Sequence, residues 1–183
     1  MPQRFKQFGN TPVEAITQAV PVVDTNHAQV HEAHAFNTVF ESLALAAAAK
    51  AYVEIVIPAG AYIHFQAATF FATGYGKLRF VELAAASTGG TGIVPVNRHR
   101  IADAASVVTV KHGVTPAADA VVMDTLRVGK PGSAASGRIG GNTGDDTEWV
   151  LNPGTSYLLE ITNVDTVDID ATLRLFWYEE DGA

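Results

Sequence analysis

"TVDIDATLRLFWYEE", residues 166–180, is the stretch on which the fold turns. Ile169, Ala171, Leu173, Leu175 and Trp177 fall on one side of an extended chain. Asp168, Asp170, Thr172 and Arg174 fall on the other, the period-two alternation of a half-buried strand. So much apolar bulk on one face predicts a strand in the middle of a sheet. Just before it, "EWVLNPGTSYLLEITNV", residues 148–164, reads as two strands around an Asn-Pro-Gly turn, a hairpin.

The same pattern recurs outward from this end. "YVEIVIP", residues 52–58, puts Val53, Ile55 and Ile57 on one face, and Pro58-Ala59-Gly60 turns the chain. "AYIHFQAATFF", residues 61–71, sets Ile63 and Phe65 against Tyr62, His64 and Gln66. "KLRFVEL", residues 77–83, sets Leu78 and Phe80 against Lys77 and Arg79. "VHEAHAFNTVF", "SVVTVKH" and "AVVMDTLRV" read as further strands from their β-branched and aromatic content. "ESLALAAAAK" favours helix by propensity but is short enough for a loop with one helical turn. Residues 84–105 read as a Gly/Thr/Ala-rich loop followed by "PVNRHRI". Residues 129–146, with six glycines, read as one long flexible loop. Pro2, Pro12 and Pro21 set residues 1–29 apart as an extended arm ahead of one domain, residues 30–183. Eight or nine strands without βαβ spacing predict an all-β, jelly-roll-like antiparallel sandwich.

Composition narrows the function. The chain has 183 residues, 48% of them hydrophobic, enough for one sizeable core. There is no cysteine, so disulfides and thiolate metal sites are excluded. A net charge of −7 with few clustered cations argues against nucleic acid as a partner. No apolar run is long enough to cross a bilayer, and no secretory h-region opens the chain. His27, His31 and His34 cluster, but "HEAH" lacks the four-residue spacing of the helical zinc motif. Asp145, Asp146 and Glu148 lack the alternating acids of a calcium loop, and Asp165, Asp168 and Asp170 read as a solvated strand face. Neither group is assigned a metal, and no cofactor is expected. No nucleophile elbow or phosphate loop is present, so the chain reads as a binding protein and not an enzyme. "NRHR", Asn97, Arg98, His99 and Arg100, is the basic cluster of an acidic chain, and arginine is favoured at protein contacts.

Four segments carry a resemblance. They are "VDTNHAQVHEAHAF", "GAYIHFQAATFFATGYGKLRFVE", "PVNRHRI" and "EWVLNPGTSYLLEITNV" with the later "LRLFWYEED", together spanning about residues 22–181. The C-terminal pair is the most specific. In these the chain resembles the head decoration, or cement, proteins of tailed bacteriophages. The resemblance implies a homotrimer on the outer surface of the virion capsid, bridging neighbouring major capsid proteins near threefold positions. The expected contacts are Phe5, Phe8, Val13 and Ile16 of the arm and Asn97, Arg98, His99 and Arg100 of the loop. A rival reading is a receptor- or glycan-binding jelly-roll module of a phage fibre or tail, with Trp177 or Tyr178 stacking on a sugar.

Overall fold

The computed structural model of the chain describes residues 25–101, 104–131, 135–139 and 148–180. Among these, one short helix, α1 (Thr25–His31), precedes twelve strands. They are β1 (Ala35–Leu45), β2 (Lys50–Val56), β3 (Tyr62–Ala72), β4 (Gly76–Leu83), β5 (Thr88–Ile93) and β6 (Val96–Asn97). There follow β7 (Thr109–Thr115), β8 (Asp119–Val128), β9 (Ala135–Ile139), β10 (Trp149–Leu151), β11 (Ser156–Asn163) and β12 (Ile169–Glu180). The all-β expectation holds: two antiparallel sheets pack as a sandwich. The first sheet has the order β10-β3-β12-β1-β6, with β9 on β3 beyond β10. The second has the order β5-β7-β2-β11-β4-β8. The order is nested. β1 pairs with β12 and β2 with β11, while β3 flanks β12 and β4 flanks β11.

The C-terminal strand lies where its alternation places it, between β1 and β3. Ile169, Ala171, Leu173, Leu175 and Trp177 all enter the core, and Trp177 is 1% exposed. Its ring stacks on Phe36 with centroids 6.1 Å apart. Phe65, Phe80 and Tyr157 meet behind it. Val53, Ile55, Ile57, Ile63, Leu78 and Phe80 are also buried as their strands predict. On β3 the inward parity changes after Phe65 to Ala68, Phe70 and Ala72. Trp177 opposes Phe65 and Phe176 opposes Ala67, so Gln66 is the extra residue of a bulge.

Several expectations need correction. Residues 148–164 are not a hairpin, because β10 pairs with β3 in one sheet and β11 lies between β2 and β4 in the other. The Asn-Pro-Gly turn is a corner between sheets. Gly154, at φ +73°, donates its N–H to Pro58 C=O, and Ile57 N–H donates to Thr155 C=O. Asn152 N–H donates to the Tyr157 hydroxyl at 2.8 Å, so the corner is held by Ile57 and Pro58 after β2 and by a ring of β11.

The Ala-rich stretch is strand and turn. β1 runs to Leu45 and Ala49 N–H closes the turn onto Ala46 C=O, so cross-strand pairing overrides propensity. Val30 and His31 end a helix and do not open a strand, which also places a helix at the end of the expected arm. Residues 84–105 include β5 and β6, and residues 129–146 include β9, which pairs with Ala68 to Ala72. Asp165 is buried, not solvated: its carboxylate accepts the Tyr75 and Thr166 N–H groups. The arm contacts Phe5, Phe8, Val13 and Ile16, and the acids Asp145 and Asp146, lie outside the described residues.

Candidate interaction face

The two outer faces of the sandwich carry different chemistry. On the second sheet part of the charge is paired, while Lys77, Lys111 and Arg127 form no ion pair among the described residues. Glu160 accepts from Lys50 Nζ at 3.0 Å and from Arg79 at 3.2 Å, and Arg79 also meets Asp119 at 2.5 Å. Beneath residue 87, Glu54 is fully buried and accepts the Ser87 N–H at 2.7 Å. Val81, Leu83, Val114 and Leu158 form a small second core on the same side, with Tyr52 packed against it.

The first sheet presents the other half of each strand's alternation. In register across it stand Val39, Arg174 and Thr69, then Asn37, Phe176 and Ala67, then Glu41, Thr172 and Phe71. Phe71 is 40% exposed and Val39 43%. Arg174 lies over the Phe71 ring at 5.9 Å, and Arg98 over the Phe176 ring at 6.0 Å. Among the described residues neither arginine forms an ion pair with a carboxylate. A guanidinium flat on a ring keeps its in-plane N–H donors directed outward. The face therefore offers apolar area and two unneutralised cations on a chain of net charge −7.

The "NRHR" loop joins this face at the β1 edge, and its four residues do different things. Asn97 is buried. Its amide donates to Ala33 C=O at 2.7 Å and Ala104 C=O at 3.1 Å, and its oxygen accepts His99 N–H at 2.8 Å. Its side-chain polar groups are spent inside the chain. Asn97 positions Arg98, whose own N–H donates to Ala35 C=O. His99 is half-buried beside His31, ring centroids 6.4 Å apart, and its Nδ1 is buried without a hydrogen-bond partner. Arg98 and Arg100 are exposed.

At the far end of the same face lies a polar knot. His64 stacks on Tyr178, centroids 4.4 Å apart and planes within 8°. Its Nδ1 is 2.9 Å from Glu148 and its Nε2 3.3 Å from Glu180. The Tyr178 hydroxyl donates to Glu148, and burial followed by the Glu148 charge pushes the phenol well above its ordinary value. A carboxylate only accepts, so both imidazole contacts are hydrogen bonds only when both ring nitrogens carry hydrogen. Chemically the knot is a clamp. It fixes the residue before β10 to β3 and to the end of β12, and Glu148 is engaged there. Next to it Glu179, nearly buried, accepts from the Ser106 hydroxyl, from Val107 N–H at 3.0 Å and from Trp177 Nε1 at 3.0 Å. An open cleft of about 410 Å³ runs past Pro58, Val107 and Glu179, but this carboxylate has its donors already.

His31 and His34 do not converge on a third ligand, and no group of metal-ligating side chains assembles among the described residues. Sequence reading did not single out Phe71, Arg174, Phe176, His64 or Glu179 as site residues. The signal for the first three was present in the outward half of "LRLF" and "TFF", where an aromatic or arginine interrupts the expected polar positions. The chain matches no family model, no curated protein and no solved structure.

Proposed function

We propose that this protein is a structural decoration, or cement, protein that binds the exterior of an expanded tailed-phage head. The observation that carries the reading is the pair of arginines stacked on rings of the first sheet. Arg98 lies over half-buried Phe176 and Arg174 over exposed Phe71, neither in an ion pair among the described residues, beside the "NRHR" loop. Arginine over aromatic, with apolar neighbours, is the composition of a protein contact more than of a solvated surface. The nested strand order supports a jelly roll, in keeping with the resemblance of the sequence to the decoration family.

On this reading the mechanism is binding. The trimer implied by the resemblance docks its arginine-bearing faces on acidic or carbonyl-rich patches of the major capsid protein. Arg98 and Arg174 supply forked donors and the rings supply desolvated area. A protein that binds the expanded lattice better than the precursor stabilises the expanded state by that difference in affinity. Repetition around a threefold axis multiplies a modest contact. The glycan-module rival rested on Trp177 or Tyr178, and both rings are buried. The test is co-sedimentation of bare expanded capsids with the purified protein. Binding at micromolar concentration, lost in an Arg98→Glu/Arg174→Glu variant that still folds, is expected. Failure of the unaltered protein to sediment with capsids rejects the proposal.

A further inference from the structure

Among the described residues one edge of the first sheet is open along much of its strand. β1 is paired by β12 along its length, but on its other side β6 covers only Phe36 and Asn37. Two hydrogen bonds fix which backbone groups look outward. Arg98 N–H donates to Ala35 C=O from the β6 side, and Glu179 N–H donates to His34 C=O from the β12 side. In an antiparallel ladder the N–H and C=O of one residue point the same way and successive residues alternate. Val39, Glu41 and Leu43 therefore direct both groups away from β12. Among the described residues no strand pairs with them there. Their side chains leave on the outer face, Leu43 being 75% exposed. Glu41 is exposed and has no ion-pair partner among the described residues.

The two edges of the second sheet are blunted. On β8 the pairing jumps from Asp124 to Val122 and from Val121 to Asp119, leaving Met123 and Ala120 as bulge residues. On β5 the register against β7 is unshifted, and the irregularity is the positive φ of Gly89 and Gly90, +70° and +91°. Bulges re-aim an edge and interrupt further pairing. β1 has no register shift from Ala35 to Ser42. Its register shifts only between Ser42 and Leu45, at the far end of the open stretch, and an edge with unpaired N–H and C=O groups is a template for another strand.

We propose that the open edge of β1, residues 39–43, is a strand-addition site for an extended segment of another protein. That segment carries one Lys or Arg between two apolar residues at alternating positions, and it pairs antiparallel as β6 does. The charge follows from Glu41. A second copy of this chain could pair antiparallel about Glu41, setting Val39 against Leu43, but Glu41 would then face Glu41. Like charges directly opposite destabilise a pair, and each copy carries −7 overall. Sliding the copy one way meets Asn37, already covered by β6. Sliding it the other way meets Ala44, at φ +51°, whose N–H is held by Asp170. A basic residue opposite Glu41, flanked by apolar residues against Val39 and Leu43, removes the conflict. The site goes beyond the capsid reading, since any partner presenting such a segment fits it.

The test is residue-level amide hydrogen exchange on the full chain, with the capped peptide Thr-Val-Thr-Lys-Thr-Val-Thr and its Glu-centred counterpart as probes. In the free protein the Val39, Glu41 and Leu43 amides exchange fast while Thr38, Phe40 and Ser42 are protected. The Lys peptide slows the first set and binds roughly three- to tenfold tighter than the Glu peptide, a difference of cross-strand pair size. Glu41→Lys, whose unfolding midpoint verifies that it folds, reverses that preference. Three results overturn the proposal. One is protection at these amides without peptide: if it grows with protein concentration a second copy covers the edge, and if not, this chain's own residues do. Another is no protection by the Lys peptide at about 1 mM, near the weak end of specific binding. The last is equal binding of the two peptides.

Discussion

Removing the Trp177 ring tests the core and the polar hub behind it together. The side chain is buried on the inner face of β12, stacks on Phe36, and donates Nε1–H to Glu179. Trp177→Ala deletes the largest fully buried side chain and leaves a cavity between two sheets that cannot both collapse into it. The expected cost is about 3–5 kcal/mol. Trp177→Phe keeps most of the ring but removes one donor from a carboxylate that retains Ser106 and Val107. Its expected cost is smaller, about 1–3 kcal/mol. Urea unfolding of the two variants and the parent, followed by far-UV circular dichroism, measures both. Trp emission of the parent should be that of a buried indole, with Trp149, half-buried against Phe80, contributing a second component. If Trp177→Ala leaves the midpoint unchanged, the mid-sheet core strand is wrong. If Trp177→Phe costs as much as Trp177→Ala, the Glu179 hub outweighs the packing and the division of energies is wrong.

Asn97→Ala should cost about 1–3 kcal/mol, because the carbonyls of Ala33 and Ala104 and the His99 N–H lose a buried partner. Faster amide exchange at His99 would show the loop loosening. Arg98→Glu with Arg174→Glu should change stability by no more than about 1–2 kcal/mol, the size of two exposed cation–π contacts, so calorimetry will separate folding from binding. Tyr157 has its phenol pushed up to about 12, first by burial and then by Glu82. The folded state therefore holds this proton more tightly than the unfolded one, whose phenol titrates near its ordinary value of about 10. Stability that is present below about pH 10 is lost as pH rises toward about 12. Unfolding midpoints measured across that range should fall, and less steeply in Tyr157→Phe.

Period-two alternation was enough to place the inner faces of β2 and β12 and of β3 and β4 up to their irregularities after Phe65 and Phe80, because a half-buried strand writes its burial directly into the sequence. Alternation does not say which sheet a strand joins. The turn at Asn152, Pro153 and Gly154 has the same residues whether it closes a hairpin or rounds a corner. The decision lies in the hydrogen bonds with Pro58 and Ile57, residues distant in sequence. Local composition misled in two directions. Ala44 to Ala49 has helical propensity but forms the end of β1 and a turn, because the flanking strands β1 and β2 are held by their partners. Residues 135–139, with glycine and serine, pair with β3 because a neighbouring strand supplies the ladder. The candidate face was half legible. Arg98 and Arg100 stood out by charge, but the rings under Arg98 and Arg174 come from β12 and β3, and only the register brings them together.

The most direct measurement of the central claim is an electron-microscopy map of expanded capsids decorated with this protein. It should place the chain on the outer surface near threefold positions, with Arg98, Arg174 and Phe71 turned toward the capsid or a neighbouring copy and Arg79 and Glu160 toward solvent. Density at the tail tip, or a map in which the second sheet faces the shell and the arginines face solvent, would contradict it.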